Sequence, residues 1–85
     1  MKLVVVSPQH KYESAVQWIE AHTSAGSLFI QPGHAPIILT LLAGSDFSFL
    51  LAHGEKKTIR LMRHGFLQVG RTGALALINQ ETILE

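Results

Sequence analysis

Apolar and polar residues alternate with period two through much of the second half of this chain, and period two is the side-chain spacing of a β-strand face. Over residues 46–52, Phe47, Phe49 and Leu51 fall on one face. His53-Gly54-Glu55 is a short loop whose glycine accepts a positive φ, which predicts a hairpin. The returning strand, residues 57–61, points Ile59 and Leu61 inward. Gly65 punctuates, residues 66–69 form a short strand, Gly70-Arg71-Thr72-Gly73 turns the chain, and residues 74–78 close the pattern. Short strands at close glycine-rich turns predict a sandwich or barrel.

The first half follows different spacings. Leu3 to Val6 is an apolar strand ended by Ser7-Pro8. Tyr12, Ala15, Val16 and Ile19 recur at i, i+3, i+4 and i+7, so the local pattern over residues 11–22 is that of an amphipathic helix. A strand with Val16 and Trp18 on one face and Ala15, Ile19 and Ala21 on the other is the alternative. Residues 24–27 read as a loop and residues 28–30 as a brief strand. The stretch from Gln31 to Pro36 is irregular, because Pro32 and Pro36 donate no backbone hydrogen bond and Pro-Gly is a turn signal. Residues 37–42 form a continuous apolar run, expected as a strand buried on both faces and ended by Gly44.

Eighty-five residues allow one domain, whose single small core covers residues 1–79, with a short tail over residues 80–85. Hydrophobic residues make up 47% of the chain and charged ones only 15%. A core this small cannot hide so much apolar surface, so an exposed apolar patch and a partner for it are expected. The net charge of +1 exerts no strong pull toward nucleic acid or anionic lipid. No run approaches the roughly 18 apolar residues of a membrane-spanning helix, and the chain is read as soluble. The absence of cysteine excludes disulfides and thiol chemistry, and suits a reducing compartment.

Candidate chemistry is sparse. Five histidines (His10, His22, His34, His53 and His64) lack the close pairing of a metal site, and no cysteine supplements them. Asp46 is the sole aspartate, and neither a nucleophile elbow nor a phosphate-cradling loop is present. No enzyme activity and no cofactor are expected. The basic residues Lys56, Lys57, Arg60, Arg63, His64 and Arg71 raise the alternative of a small β-barrel nucleic-acid-binding module. Such a surface interleaves aromatics for base stacking, and Phe66 is the one aromatic in that stretch.

One segment is more specific. Gly26-Ser27-Leu28-Phe29-Ile30-Gln31-Pro32-Gly33-His34-Ala35-Pro36 resembles a signature of the epsilon subunit of rotary ATP synthases, called delta in mitochondria. That signature runs from Gly through two or three residues ending in Ile or Val to Leu-Pro-Gly-His-Ala-Pro. Val5-Val6-Ser7-Pro8, Leu42-Ala43-Gly44, His64-Gly65-Phe66-Leu67-Gln68-Val69 and residues 74–79 resemble its flanking pieces in order. Ser27, Gln31 and Gln68 depart from the common residues, as does Ala21-His22-Thr23, and the turn after Pro8 is about one residue short.

The resemblance implies an all-β, flattened sandwich of about ten short strands, with residues 14–22 extended. It implies a non-catalytic rotor subunit at the foot of the central stalk, on the cytoplasmic face of a bacterial membrane. The gamma subunit and the membrane-embedded c-ring are the implied partners, so that proton- or sodium-driven rotation reaches the catalytic head; no nucleic acid is expected. By the same resemblance, the partner-binding residues are Thr23, Ser24, Ala25, Gly26 and Ser27 in one loop, with Gln31, Pro32, Gly33 and His34 in the next turn. For His34 both a local backbone bond and a partner contact stand open. Phe29 is expected in the core, and Trp18 in the core or against gamma. The six residues 80–85 make under about 10 Å of helix, so a family-type C-terminal helical hairpin is not expected. With Glu85 as the natural end, the subunit would couple rotation without sensing ATP or inhibiting through a moving tail.

Overall fold

The computed structural model describes residues 1–79, and the tail expected over residues 80–85 lies outside the described residues. Eight strands and no helix occur among the described residues. In chain order they are β1 (Lys2–Val6), β2 (Lys11–Thr23), β3 (Gly26–Ile30), β4 (Ile37–Leu41), β5 (Asp46–Leu51), β6 (Lys56–Arg60), β7 (Gly65–Val69) and β8 (Gly73–Leu77). The sandwich class is as expected; the strands number eight where about ten were anticipated.

β2 organises the architecture. Its first half pairs antiparallel with β1, from Lys2↔Ala15 to Val6↔Lys11. Its second half pairs with β5 on one edge and with β3 on the other. One strand thus belongs to two layers. The first layer runs β4-β7-β8-β1-β2, with β1 and β8 parallel; the second holds β3, β2, β5 and β6. Cα extents of 28 × 28 × 18 Å give the flattened shape.

The strand state of β2 overrides its helical spacing, and the cause is visible in the ladder. Val16 pairs with Leu51 and Trp18 with Leu50, so Gln17 is an extra residue and the register shifts there. Such a bulge moves the inward face from even to odd positions. Tyr12 and Val16 point to the core before it, and Ile19 and Ala21 after it. A strand with a bulge therefore mimics i, i+4, i+7. Hydrogen-bonded neighbours on both edges then outweigh a weak helix propensity.

The core lies between the layers. Phe47 and Phe49 from β5 fill its middle, with ring centroids 5.9 Å apart, packed among Leu3, Ile19, Ile30, Leu41, Leu61 and Leu67. β7 shows the alternation plainly: Gly65, Leu67 and Val69 are buried while Phe66 and Gln68 are exposed. Gly65 must lack a side chain, because a Cβ there would sit 2.7 Å from the Leu77 carbonyl oxygen.

Candidate partner interface

The first candidate segment is the β2–β3 hairpin. Thr23 pairs with Gly26 across a two-residue turn, and Gly26 takes a positive φ of 119° that side chains disfavour. The Thr23 hydroxyl accepts from the Ala25 amide (3.1 Å) and donates to the Gly26 carbonyl (3.1 Å). His22 Nδ1 lies 2.9 Å from the Ser27 hydroxyl. Ser24 and Ala25 are thereby presented as a stiff, exposed tip.

Gln31, Pro32, Gly33 and His34 form a separate turn. The His34 amide donates to the Gln31 carbonyl at 3.2 Å, Pro32 supplies the fixed φ, and Gly33 takes a φ of 85°, as a type II turn requires. The Gly33 amide donates to the Arg71 carbonyl at 3.3 Å, docking this turn on the β7–β8 turn. His34 Nδ1 bonds the Ala35 carbonyl at 2.7 Å, so its ring does make the local backbone bond. Leu28, Phe29 and Ile30 of β3 separate the two segments, which at about 3.4 Å per residue sets Ser27 and Gln31 ~14 Å apart. They are two surfaces, not one site.

The histidines are likewise scattered. His64 Nδ1 accepts from the Ala43 amide at 3.0 Å, and His53 Nε2 lies 3.3 Å from Glu55. Among the described residues, no three metal-ligating side chains converge.

An exposed apolar field lies elsewhere. On the outward face of the first layer, β4 contributes Ile38 and Thr40, β7 contributes Phe66, β8 contributes Leu75 and Leu77, and β1 contributes Val4 and Val6. The registers make these neighbours: Thr40↔Phe66, Phe66↔Leu77, Val6↔Leu77 and Val4↔Leu75. Ile38 is 72% exposed, Phe66 54% and Leu77 44%. The run from Ile37 to Leu42 is thus not buried on both faces, because β4 is an edge strand with one face in solvent. Composition foretold an apolar patch; a single sequence holds no signal for the strand order that assembles it.

The outward face of the second layer is of another kind. Phe29 is 51% exposed, not core, and it packs against the half-buried Trp18 with ring centroids 5.1 Å apart. Both residues sit outward because Glu20 and Phe29 are cross-strand partners while Ile19 and Ile30 take the inward places. Lys56 Nζ lies 5.9 Å from the Trp18 ring centroid. Arg60 bonds Asp46, and Lys57 pairs with Glu55 at 3.1 Å. The basic residues weighed as a nucleic-acid face are therefore divided. Lys56, Lys57 and Arg60 belong to the edge strand β6, two of them ion-paired, while Arg63 and Arg71 occupy turns on either side of β7.

Comparison with known proteins agrees with the fold. The model of the ATP synthase delta/epsilon chain β-sandwich domain matches residues 1–80. The chain is 35% identical over 81 residues to an ATP synthase epsilon chain of Bdellovibrio bacteriovorus, covering 93% of this chain and 57% of that relative. It thus spans little more than half the length of this curated relative. A chain in the structure of the Euglena gracilis mitochondrial ATP synthase, described as OSCP/F1/c-ring, superposes with a TM-score of 0.78 at 22% identity. That match covers 96% of this chain and 51% of the other. A chain from the central stalk/c-ring structure of the Tetrahymena thermophila mitochondrial enzyme gives 0.76 at 15% identity, covering 94% and 63%. These two likenesses establish a shared fold. Together with the domain match over nearly the whole length, they mean that this chain belongs to the delta/epsilon family of ATP synthase β-sandwich domains.

Proposed function

We propose that the chain is a non-catalytic central-stalk subunit that binds the gamma subunit and the c-ring of a proton- or sodium-driven ATP synthase. In this reading it sits on the cytoplasmic face of a bacterial membrane and is held there only through the complex. Family membership supports the assignment, and the observation that carries it to an interaction role is the uncovered apolar face bearing Ile38, Phe66 and Leu77. A part that transmits torque must not slip, which calls for a broad interface with an apolar centre and a polar rim. The first layer offers both. The stiff Thr23–Gly26 turn and the docked Pro32-Gly33 turn add pre-ordered loops that lose little entropy on binding.

The test is reconstitution with gamma and the ring. A stoichiometric gamma complex that persists at moderate salt, with coupled ATP synthesis dependent on the chain, is the expected result. Binding to single-stranded oligonucleotides that falls steeply with salt, with no gamma complex, would assign the chain to nucleic acid instead.

A further inference from the structure

Charge is distributed unequally over the two outward faces. The described residues carry seven cationic side chains and four acidic ones. The outward face of the second layer holds Lys56 and Arg60 against Glu20 and Asp46, two of each sign, while Lys57 shares the inward side of β6 with Ile59 and pairs with Glu55. The other four cations stand on the strands of the first layer or in the connections at its ends, with Glu13 the one acidic residue among them. Lys2 and Lys11 begin β1 and β2, while Arg63 and Arg71 lie in the turns at the two ends of β7. Glu13 sits between the two lysines, 3.3 Å from Lys2 and 3.2 Å from Lys11. The apolar field of Ile38, Phe66 and Leu77 is thus bordered by positive charge, although the chain as a whole is nearly neutral.

From this asymmetry we infer that the first-layer face docks a protein surface with an apolar centre and an acidic border. This deepens the reading given above and rests on it, because gamma is the partner in which that border should be found. The apolar centre supplies affinity that salt does not screen, while the cationic border fixes orientation and excludes neutral or basic surfaces. Lys2 and Lys11 are half-spent on Glu13 in the free chain and become available when an acidic partner competes for them.

Binding of the whole chain to purified gamma, measured by calorimetry at low and high salt, tests the assignment. Arg63→Glu combined with Arg71→Glu should weaken the complex roughly tenfold at low salt and by much less near 1 M, where the screening length is about 3 Å. Glu13→Gln should tighten it about two- to threefold by releasing both lysines, a gain that damage to the fold could not produce. Lys56→Glu on the opposite face should leave affinity unchanged. Normal gamma binding by the wild type, with neither border change moving the affinity, would overturn the inference and leave the stalk assignment intact. Absence of any gamma complex would remove the assignment itself. Wild-type binding to 7:3 phosphatidylcholine–phosphatidylserine vesicles that Arg63→Glu/Arg71→Glu abolishes would overturn the protein partner in favour of a lipid surface. Sedimentation as a dimer that Phe66→Glu dissociates would assign the face to a second copy of this chain.

Discussion

The two outward faces of the sandwich are built from the same strand alphabet and have opposite characters. The first layer exposes Ile38, Phe66 and Leu77 with little on that face to satisfy them; the second surrounds its aromatics with partners of its own. Trp18 stacks on Phe29, Lys56 lies over Trp18, and Arg60 bonds Asp46. The second face thus supplies ring and cation contacts to its aromatics from within the chain, while the first presents a continuous apolar field. Exposed apolar area alone would not separate them, since Phe29 is about as open as Phe66. What separates them is the kind of neighbour: a ring and a cation for Phe29 and Trp18, aliphatic cross-strand partners for Phe66 and Leu77.

Removing what the faces share gives the largest effect. Phe49 lies at the middle of the core, in ring contact with Phe47 and Tyr12, so Phe49→Ala should cost about 3–5 kcal/mol by chemical denaturation. In a domain of this size such a loss approaches the whole stability. A loss under 1 kcal/mol would show that the layers are not held by this core. Next come the two exposed phenylalanines, whose substitutions should part company. Phe66→Glu should change stability by less than about 1 kcal/mol yet abolish partner binding. Phe29→Ala should cost about 1 kcal/mol through the lost ring pair and leave binding intact. Equal effects on binding would erase the distinction between the faces.

Acid titration should give the smallest effect and the same sign on both faces. Hydrogen bonds from Lys11 and then Lys2 hold the Glu13 carboxyl below the usual range, as Arg60 does for Asp46 and Lys57, then His53, for Glu55. A carboxylate with a depressed folded pKa contributes stability above its unfolded pKa, and that contribution is lost as pH falls through the folded value. Thermal melts should therefore be flat in this respect above about pH 5 and decline gently below roughly pH 4. All three groups are solvent-exposed, so the decline should shrink in high salt. A steep drop insensitive to salt would point to buried titrating groups.

The strands β5 to β8 were legible because strict alternation and glycine turns survive without tertiary information. β2 was not, since the extra Gln17 converts an alternating strand into helical spacing. Only the resemblance carried by the segment from Gly26 to Pro36 corrected it. The apolar run of β4 read as doubly buried because sequence cannot show that β4 lies at a sheet edge. Phe29 read as core for a related reason: its burial depends on the parity of its pairing with Glu20. The turn from Gln31 to His34 was located correctly, whereas of the loop expected over residues 24–27 only Ser24 and Ala25 turn the chain, because Gly26 and Ser27 pair with Thr23 and His22 as the start of β3. Their separation along β3, and the docking of Gly33 on Arg71, come from the fold alone.

The chain contains no cysteine, so single-cysteine labelling reads each face without background. Ile38→Cys and Thr58→Cys, one on each outward face, can be reacted with a maleimide in the free chain and after assembly into the synthase. Both should label rapidly when free. In the assembled enzyme, protection at position 38 with continued reactivity at position 58 is the result this account predicts. Protection at position 58 with position 38 still reactive would contradict it.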